Sequence, residues 1–179
     1  MSHDHSKKHL LVGCCGMSCG LCPRFYIVGK SKCLGCSLDS HGFYCSTFKC
    51  CNVKKSLETC AYCQESPCDR LNRMKDWKSF NTGKIWLRHN EQIKENGLEE
   101  WIKIQNQKKE YLEKALEVYD ADRSKNIICL SFTLFDIKTI KKLMEAAKLE
   151  ITENDKKIKA KKFKILIEKM AQDKKIKLK

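Results

Sequence analysis

Cysteine is the residue type with the clearest chemical potential in this chain, because twelve of its thirteen cysteines lie between residues 14 and 68. A cysteine cluster can form disulfides, act as reactive redox thiols or ligate metal. Disulfides need an oxidising compartment, and the odd number of cysteines fits complete pairing poorly. Reactive redox thiols usually occur as one CxxC pair. The density and spacing therefore favour metal ligation.

The clustered cysteines form four blocks whose internal spacing is typical of metal knuckles. A CxxC turn presents two thiolates on one side of a tight loop, and two such turns supply the four-thiolate tetrahedron that zinc accepts. The fourth block contains three cysteines, so we expect the third block to complete its set. We predict two or three structural Zn²⁺ ions in sites of this kind. The candidate ligands, block by block, are Cys15, Cys19 and Cys22; Cys33 and Cys36; Cys45, Cys50 and Cys51; and Cys60, Cys63 and Cys68.

Iron–sulfur chemistry is the alternative that this spacing leaves open. The first block is a CxxxCxxC triplet followed by Pro23, and close thiolate sets also hold [4Fe–4S] clusters. Radical enzymes with such a triplet normally need a much larger barrel domain, so a chain of 179 residues excludes that class. Zinc is favoured because paired CxxC knuckles are its commonest use. His41 lies between the second and third blocks and is a candidate replacement ligand, whereas His89 is interpreted as a surface or packing residue.

The cysteine motifs, in their order along the chain, resemble a known family. They are Cys15-Gly16-Met17-Ser18-Cys19-Gly20-Leu21-Cys22-Pro23, Cys33-Leu34-Gly35-Cys36, Cys60-Ala61-Tyr62-Cys63 and Ser66-Pro67-Cys68-Asp69-Arg70-Leu71. Together they resemble the cysteine-rich family catalogued as domain of unknown function 3795. Arg123-Ser124-Lys125 and the following Cys129 are similar to its second half, so the resemblance covers about residues 13 to 150. It implies a metal-binding fold and no particular reaction.

Four cysteines have no fixed assignment in this pattern. Cys50 and Cys51 compete for one position in the third block, and Cys14 is additional to the family's pattern. Cys129 lies in an apolar run and is interpreted as a small buried hydrophobe. The resemblance supports an alternative for Cys129, a functional thiol facing a pocket near Arg123 and Lys125.

The elements that must position these residues are predicted to be helical beyond residue 69. Apolar residues at helical spacing from Leu98 to Tyr119 predict a long amphipathic helix. A second helix is predicted over Ile137 to Ala147, with Asp136 as its N-cap. The apolar run from Ile127 to Phe135 fits either a strand or a buried helix, and its helical neighbours favour a helix.

The predicted fold class is mainly α, with a small, irregular, cysteine-rich and metal-stapled N-terminal module. This module is expected to be knuckle-like or ribbon-like with little β structure. We divide the chain into a flexible N-terminus (1–12), the metal-binding module (13–70), a helical domain packed on it (71–150) and a lysine-rich amphipathic C-terminal helix (151–179). The module has few large apolar side chains, so metal binding would supply its folding free energy, on the order of 10 kcal/mol per zinc site.

Positive charge is concentrated at the C-terminal end of the chain. The formal net charge is +14, and residues 155–179 hold eleven lysines against three acidic residues. Phe163, Leu166, Ile167 and Met170 give this segment an apolar face. Its lysines could contact nucleic acid or an anionic membrane surface. Lysine outnumbers arginine by 31 to 5, which disfavours nucleic acid because arginine is preferred for bidentate recognition.

These observations predict a small metal-binding protein and leave a metal-dependent enzyme, which would need an open coordination position, as a less favoured alternative. The sequence contains no phosphate-binding loop, nucleophile elbow or paired-carboxylate signature. It has neither a membrane-spanning stretch nor a signal-peptide core, so we expect a cytoplasmic protein. The alternatives are an iron–sulfur redox or sensor protein and a zinc-scaffolded nucleic-acid binder that uses the basic tail. A protein partner for the helical half is also compatible with the sequence.

Overall fold

The computed structural model describes residues 7–38, 44–75, 83–121 and 123–178, and this part of the chain is mainly helical. Its β structure is one antiparallel bridge between Val12 and Ser18. The prediction of a mainly α fold with little β structure is confirmed, and metal stapling of the N-terminal module stays a prediction. The seven α-helices of the described ranges are α1 Ser46–Phe48, α2 Asp69–Arg73, α3 Gly83–Asn96, α4 Leu98–Tyr119, α5 Lys125–Leu134, α6 Ile137–Glu150 and α7 Lys156–Asp173.

Short turns connect and extend these helices in the cysteine-rich segment. Three are 3₁₀ turns, Cys19–Leu21, Pro23–Tyr26 and Cys60–Tyr62, and a π-helical turn, Lys49–Lys54, continues α1. Such short turns suit a segment in which cysteines, rather than long apolar faces, determine the packing. No helix in the described ranges combines the length and apolarity that crossing a bilayer requires.

The chain divides into two compact units, Met1–Lys103 and Ile104–Lys179, and the division falls within α4. The first unit contains both a thiol-rich buried cluster and an apolar buried cluster that includes Ile93, Leu98 and Trp101. The thiol-rich cluster joins four cysteines to three larger side chains, so sulfur-bearing groups form part of the core. The cluster comprises Cys14, Cys15, Cys51, Cys60, Phe48, Leu71 and Trp86.

The second unit has an ordinary apolar core made by helices. Phe132, Phe135 and Phe163 are fully buried, and the rings of Phe163 and Tyr119 stack with centroids 4.2 Å apart. Helix α7 packs against α5 and α6. Truncating one such phenylalanine to alanine typically costs about 3–5 kcal/mol, so these rings contribute substantially to the stability of this unit.

The predicted helices of the second unit are confirmed. The predicted N-cap of α6 is confirmed, because the Asp136 carboxylate accepts a hydrogen bond from the Thr139 N–H at 2.7 Å. The apolar run around Cys129 is helical, as favoured, and Cys129 is fully buried. The C-terminal helix buries Phe163 and ends at Asp173.

Candidate metal centre

All thirteen cysteines lie in the described ranges, and none of them forms a disulfide. Twelve belong to the first unit, where each is buried or half-buried. Burial of so many thiols is consistent with ligation or with packing, so their mutual arrangement decides which chemistry they can support. Two groupings emerge, and they follow the predicted blocks.

The first thiol group consists of Cys15, Cys19, Cys22, Cys33 and Cys36, which are the cysteines of the first two blocks. The side chains of Cys19 and Cys36 hydrogen-bond to one another. Cys22 lies close enough to Cys33 and Cys36 to interact with both electrostatically, and Cys15 interacts with Cys36 in the same way. The structure thus brings together the two blocks expected to share one site.

Backbone hydrogen bonds hold the first block in its looped shape. The Gly13 N–H donates to the Met17 carbonyl at 2.8 Å, and the Cys19 N–H donates to the Leu11 carbonyl at 2.8 Å. The Cys22 N–H donates to the Cys19 carbonyl at 3.1 Å, which closes the 3₁₀ turn. The CxxC segment is therefore a tight turn, as the spacing predicts.

The second thiol group consists of Cys14, Cys50, Cys51, Cys60, Cys63 and Cys68. Five of the six, all except Cys14, line one cavity of about 20 Å³. The Cys51 side chain hydrogen-bonds to the thiols of Cys14 and Cys60. The backbone reinforces this grouping, since the Cys60 N–H donates to the Cys14 carbonyl at 2.8 Å.

The second group shows where Cys14 lies and how Cys50 and Cys51 differ in burial. Which of these cysteines ligate metal stays a prediction. Cys14, which is additional to the family pattern, lies beside Cys51 rather than apart from the other cysteines. Cys50 and Cys51 both line the cavity, but Cys51 is buried while Cys50 is half-exposed. Cys45 is half-buried and lies near Cys15.

Two cationic side chains border the cavity of the second group. Lys55 Nζ donates to Cys63 Sγ at 3.3 Å and to Glu65 Oε1 at 2.8 Å, and these contacts raise the pKa of Lys55. Arg70 also lines the cavity, and its Nη1 donates to the Ser46 carbonyl at 2.7 Å. A cation at hydrogen-bond distance stabilises a thiolate relative to a thiol.

A buried lysine lies near thiols of both groups. The Lys7 side chain is fully buried and pairs with Glu58, its Nζ lying 3.2 Å from Oε1 and 2.6 Å from the Glu58 carbonyl. Thiol–thiol hydrogen bonds and burial raise the pKa of Cys14, Cys36 and Cys51, and the charge of Lys7 offsets a part of that rise. Sequence reasoning did not identify this residue, since nothing in the spacing of a lysine in a polar N-terminus signals burial.

Burial and thiol–thiol hydrogen bonds raise the pKa of several thiols in both groups. The hydrogen bond with Cys51, followed by burial, raises the pKa of Cys14, and burial is the main cause of the raised pKa of Cys15. The hydrogen bond from Cys14 lowers the pKa of Cys51, but the hydrogen bond with Cys60 and burial outweigh it and raise that pKa to about 12. A metal ion would therefore have to displace protons when it binds.

Helix α3 fixes the first block through two adjacent polar side chains. His89 Nδ1 donates to the Gly16 carbonyl at 2.7 Å, and Asn90 Nδ2 donates to the Cys15 carbonyl at 2.7 Å. Asn90 Oδ1 accepts from Thr59 Oγ1 at 3.2 Å, which ties the fourth block to the same helix. His89 is thus a buried packing residue. One signal could have revealed this pair, because His89 and Asn90 lie at helical spacing from Trp86 and Ile93.

The described residues include no group of three or more Cys, His, Asp or Glu side chains arranged to hold one ion. What the structure provides is pairs of contacting thiols and a cavity lined by five cysteines. Two sulfurs of a zinc tetrahedron with Zn–S bonds of about 2.3 Å lie about 3.8 Å apart, a separation typical of hydrogen-bonded sulfur atoms. Thiols are a donor type that zinc accepts, and zinc binding at these groups stays a prediction. The His41 alternative lies outside the described residues.

Comparison with known protein families, curated proteins and solved structures found no match to this chain. The resemblance to the family catalogued as domain of unknown function 3795 therefore stays a prediction. The position of Cys129 is consistent with its interpretation as a packing residue, because its side chain is fully buried in the second unit.

Proposed function

We propose that this protein binds metal through cysteine thiolates, with zinc in structural sites within the first unit. One observation carries the proposal. Five cysteines from two separate sequence blocks, residues 50–51 and 60–68, line a single cavity. A high cysteine content alone would not require five thiols to line the same cavity. The resemblance to a cysteine-rich family agrees with this function.

The division of the cysteines into two groups supports two sites. In the first group, Cys19 and Cys36 are in contact although 17 residues separate them in sequence. In the second group, Cys51 contacts Cys14 and Cys60, which come from different blocks. Each group has more than the four thiols that one zinc ion takes, so ligand choice within a group stays open to experiment.

The size of the cavity favours a single ion over an iron–sulfur cluster in the second group. A volume of about 20 Å³ accommodates roughly one water-sized particle. A [4Fe–4S] cluster has eight core atoms, so it would need the surrounding side chains to move outward. A lone zinc ion would need a smaller outward movement of the thiols that line the cavity.

In this proposal the metal acts as part of the core of the first unit. One of its buried clusters contains four cysteines beside Phe48, Leu71 and Trp86. Zinc–thiolate bonds would add folding free energy on the order of 10 kcal/mol per site. The helical second unit would then be free to serve as a binding or adaptor domain within a protein that performs no chemistry of its own.

Elemental analysis of protein purified without oxygen and without added metal tests this function. We expect about two zinc per chain, no visible colour and no matching sulfide. Iron with equimolar sulfide and absorption near roughly 400 nm would show that the protein holds an iron–sulfur cluster, and the zinc proposal would then be wrong. Protein that is fully folded without any metal would overturn metal binding itself.

Cysteine variants connect the metal content to the cavity. Cys63 and Cys68 are half-buried members of the second group, so the C63S/C68S double variant should fold and lose about one zinc per chain. The matched control is C129A, because Cys129 is buried in the second unit, outside both thiol groups. Its zinc content should equal that of the original protein. Equal zinc loss in both variants would contradict the assignment to the cavity.

A further inference from the structure

Helix α7 carries an exposed stripe of alternating isoleucine and lysine that the core does not use. The stripe consists of Ile158, Lys161, Ile165 and Lys169, and all four side chains are exposed. Their spacing of three, four and four residues puts them on one side of the helix. Ile158 is 47% exposed and Ile165 is 55% exposed.

The opposite side of α7 already provides its attachment to the second unit. Ala160, Phe163, Leu166, Ile167 and Ala171 are buried there. A helix docked through one apolar face is expected to be polar on the other. The exposed isoleucines break this rule at positions seven residues apart, so α7 has apolar groups on two opposite sides.

The lysines of the stripe differ from their neighbours in how their charge is used. Within the described ranges, Lys162 pairs with Glu153, and Lys164 pairs with Glu168 at 3.8 Å. No described acidic side chain forms an ion pair with Lys161 or Lys169. Their charges therefore remain available to an external partner on the same face as the isoleucines.

The segment that surrounds the stripe is strongly basic. Residues 104–179 contain twenty Lys and Arg against twelve Asp and Glu. Lys174, Lys175 and Lys177 follow the end of α7 and are exposed. An acidic partner would meet a positive potential before it made contact.

We propose that the Ile158–Lys161–Ile165–Lys169 stripe docks on an anionic membrane surface. The two isoleucines enter the headgroup region, and the lysines lie against lipid phosphates. Lysine suffices for this purpose because attraction to a charged lipid surface needs no bidentate geometry. Nucleic acid is disfavoured, since the stripe lacks the aromatic side chains that stack on bases and the arginines that recognise them. This inference does not depend on metal binding.

Vesicle flotation with the full-length, metal-loaded protein tests the proposal. The probes are vesicles of neutral phosphatidylcholine alone and of phosphatidylcholine with about one third phosphatidylglycerol. We expect binding to the anionic vesicles, weakening as salt rises from about 50 to 300 mM, and none to the neutral ones. Binding to both alike, or to neither, would overturn the proposal.

Paired variants separate the two contributions of the stripe. I158S/I165S should weaken binding about tenfold by removing apolar contact, and K161Q/K169Q should weaken it about 25-fold, at roughly fivefold per charge. All four positions are exposed, so circular dichroism should show unchanged helix content. The matched controls are V28S/V118S and K103Q/K114Q, whose exposed side chains lie elsewhere, and they should alter binding less than twofold.

A nucleic-acid partner would give a different pattern. Retention by double-stranded DNA or by RNA that depends on Lys161 and Lys169, with no effect of I158S/I165S on any binding, would overturn membrane docking in favour of phosphate binding. Equal loss in the stripe variants and the controls would also overturn it, because net charge alone would then explain the attraction.

Discussion

Gly16 occupies the most restricted residue position in the cysteine-rich unit. Its φ is +91°, and a Cβ atom there would lie 2.6 Å from the Trp86 carbonyl oxygen and 2.7 Å from Asn90 Nδ2. Both contacts belong to α3, so the first cysteine block approaches this helix closely because Gly16 has no side chain. The adjacent Cys15 is a candidate ligand, and the close approach thus helps to place a thiol.

Replacing Gly16 by alanine should therefore destabilise the protein by at least about 3 kcal/mol, the sum of backbone strain and steric overlap. Urea denaturation of zinc-loaded protein would measure the change. Gly29→Ala is the control, since Gly29 has a similar φ of +99° but no atom within 4 Å of the added Cβ. It should cost only about 1 kcal/mol. Similar losses in both variants would mean that backbone strain alone, and not the contact with α3, makes Gly16 necessary.

The lowered pKa of Glu58 leads us to expect that the stability of the protein depends on pH. Burial alone would raise its pKa, but the N–H groups of Lys8 and His9 and the charge of Lys7 outweigh burial and lower it. A carboxylate whose folded pKa lies below its unfolded value of about 4.3 stabilises the protein above that value. This contribution is lost as pH falls through the folded pKa.

Glu58→Gln should remove this pH-dependent contribution. At pH 7 we expect a loss of about 3 kcal/mol, because Lys7 stays buried without its counter-charge. The difference in unfolding free energy between the two proteins should shrink as pH falls from about 5 to 3. Metal release affects both proteins, so their difference isolates the carboxylate. Glu99→Gln, at a position whose side chain is 84% exposed, should change stability by less than about 0.5 kcal/mol. A pH-independent difference for Glu58→Gln would contradict the assigned pKa.

At the scale of elements, α3 is the helix that organises the cysteine blocks. Asn90 bonds to the Cys15 carbonyl in the first block and to Thr59 at the start of the fourth. It also bonds to the Trp86 carbonyl within its own helix at 2.8 Å. One buried amide, with both polar atoms satisfied, thereby adds to the backbone hydrogen bond between Cys60 and Cys14 in connecting the first and fourth blocks.

Asn90→Ala should destabilise the protein by about 2–3 kcal/mol, because it leaves the buried Cys15 carbonyl without its partner and leaves the Thr59 hydroxyl with the Cys14 carbonyl, at 3.5 Å, as its acceptor. Denaturation at fixed zinc concentration would measure this. Asn96→Ala offers a control in the same helix, since the exposed Asn96 amide bonds only to the Gln92 carbonyl, at 3.1 Å. Its cost should stay below about 0.5 kcal/mol. If the Asn90 variant were no less stable than the Asn96 variant, α3 would not be fixing the blocks.

The sequence predicted some elements well and others not at all, for physical reasons. Helix α4 begins at Leu98 and ends at Tyr119, as its apolar spacing indicated, because helical periodicity is a local property. The association of the third and fourth cysteine blocks was also predictable, since three cysteines need a fourth. The proximity of Lys7 and Asn90 to the thiols was not, because these contacts join residues 31 to 75 positions apart in sequence. Local patterns carry no information about such pairings.

The two units of the whole molecule have cores of different composition. The first unit contains a buried cluster in which four cysteines pack with Phe48, Leu71 and Trp86. The second unit buries three phenylalanines completely and stacks Phe163 on Tyr119. If zinc supplies the missing stability of the first unit, removal of metal should affect the two units unequally.

Hydrogen exchange before and after chelation tests this difference. After removal of zinc is verified by elemental analysis, we expect at least about 100-fold faster exchange at amides such as those of Cys19 and Cys60, which donate within the cysteine blocks. Amides of α7 should retain their protection, because their helix packs through apolar side chains. Phe163→Ala is the reciprocal control. It should accelerate exchange in α7 by destabilising the second unit about 3–5 kcal/mol, and it should leave the zinc content of the first unit unchanged. Uniform acceleration of exchange throughout the chain on chelation would show that the two units unfold together. Unchanged exchange at the Cys19 and Cys60 amides would show that the first unit needs no metal to stay folded.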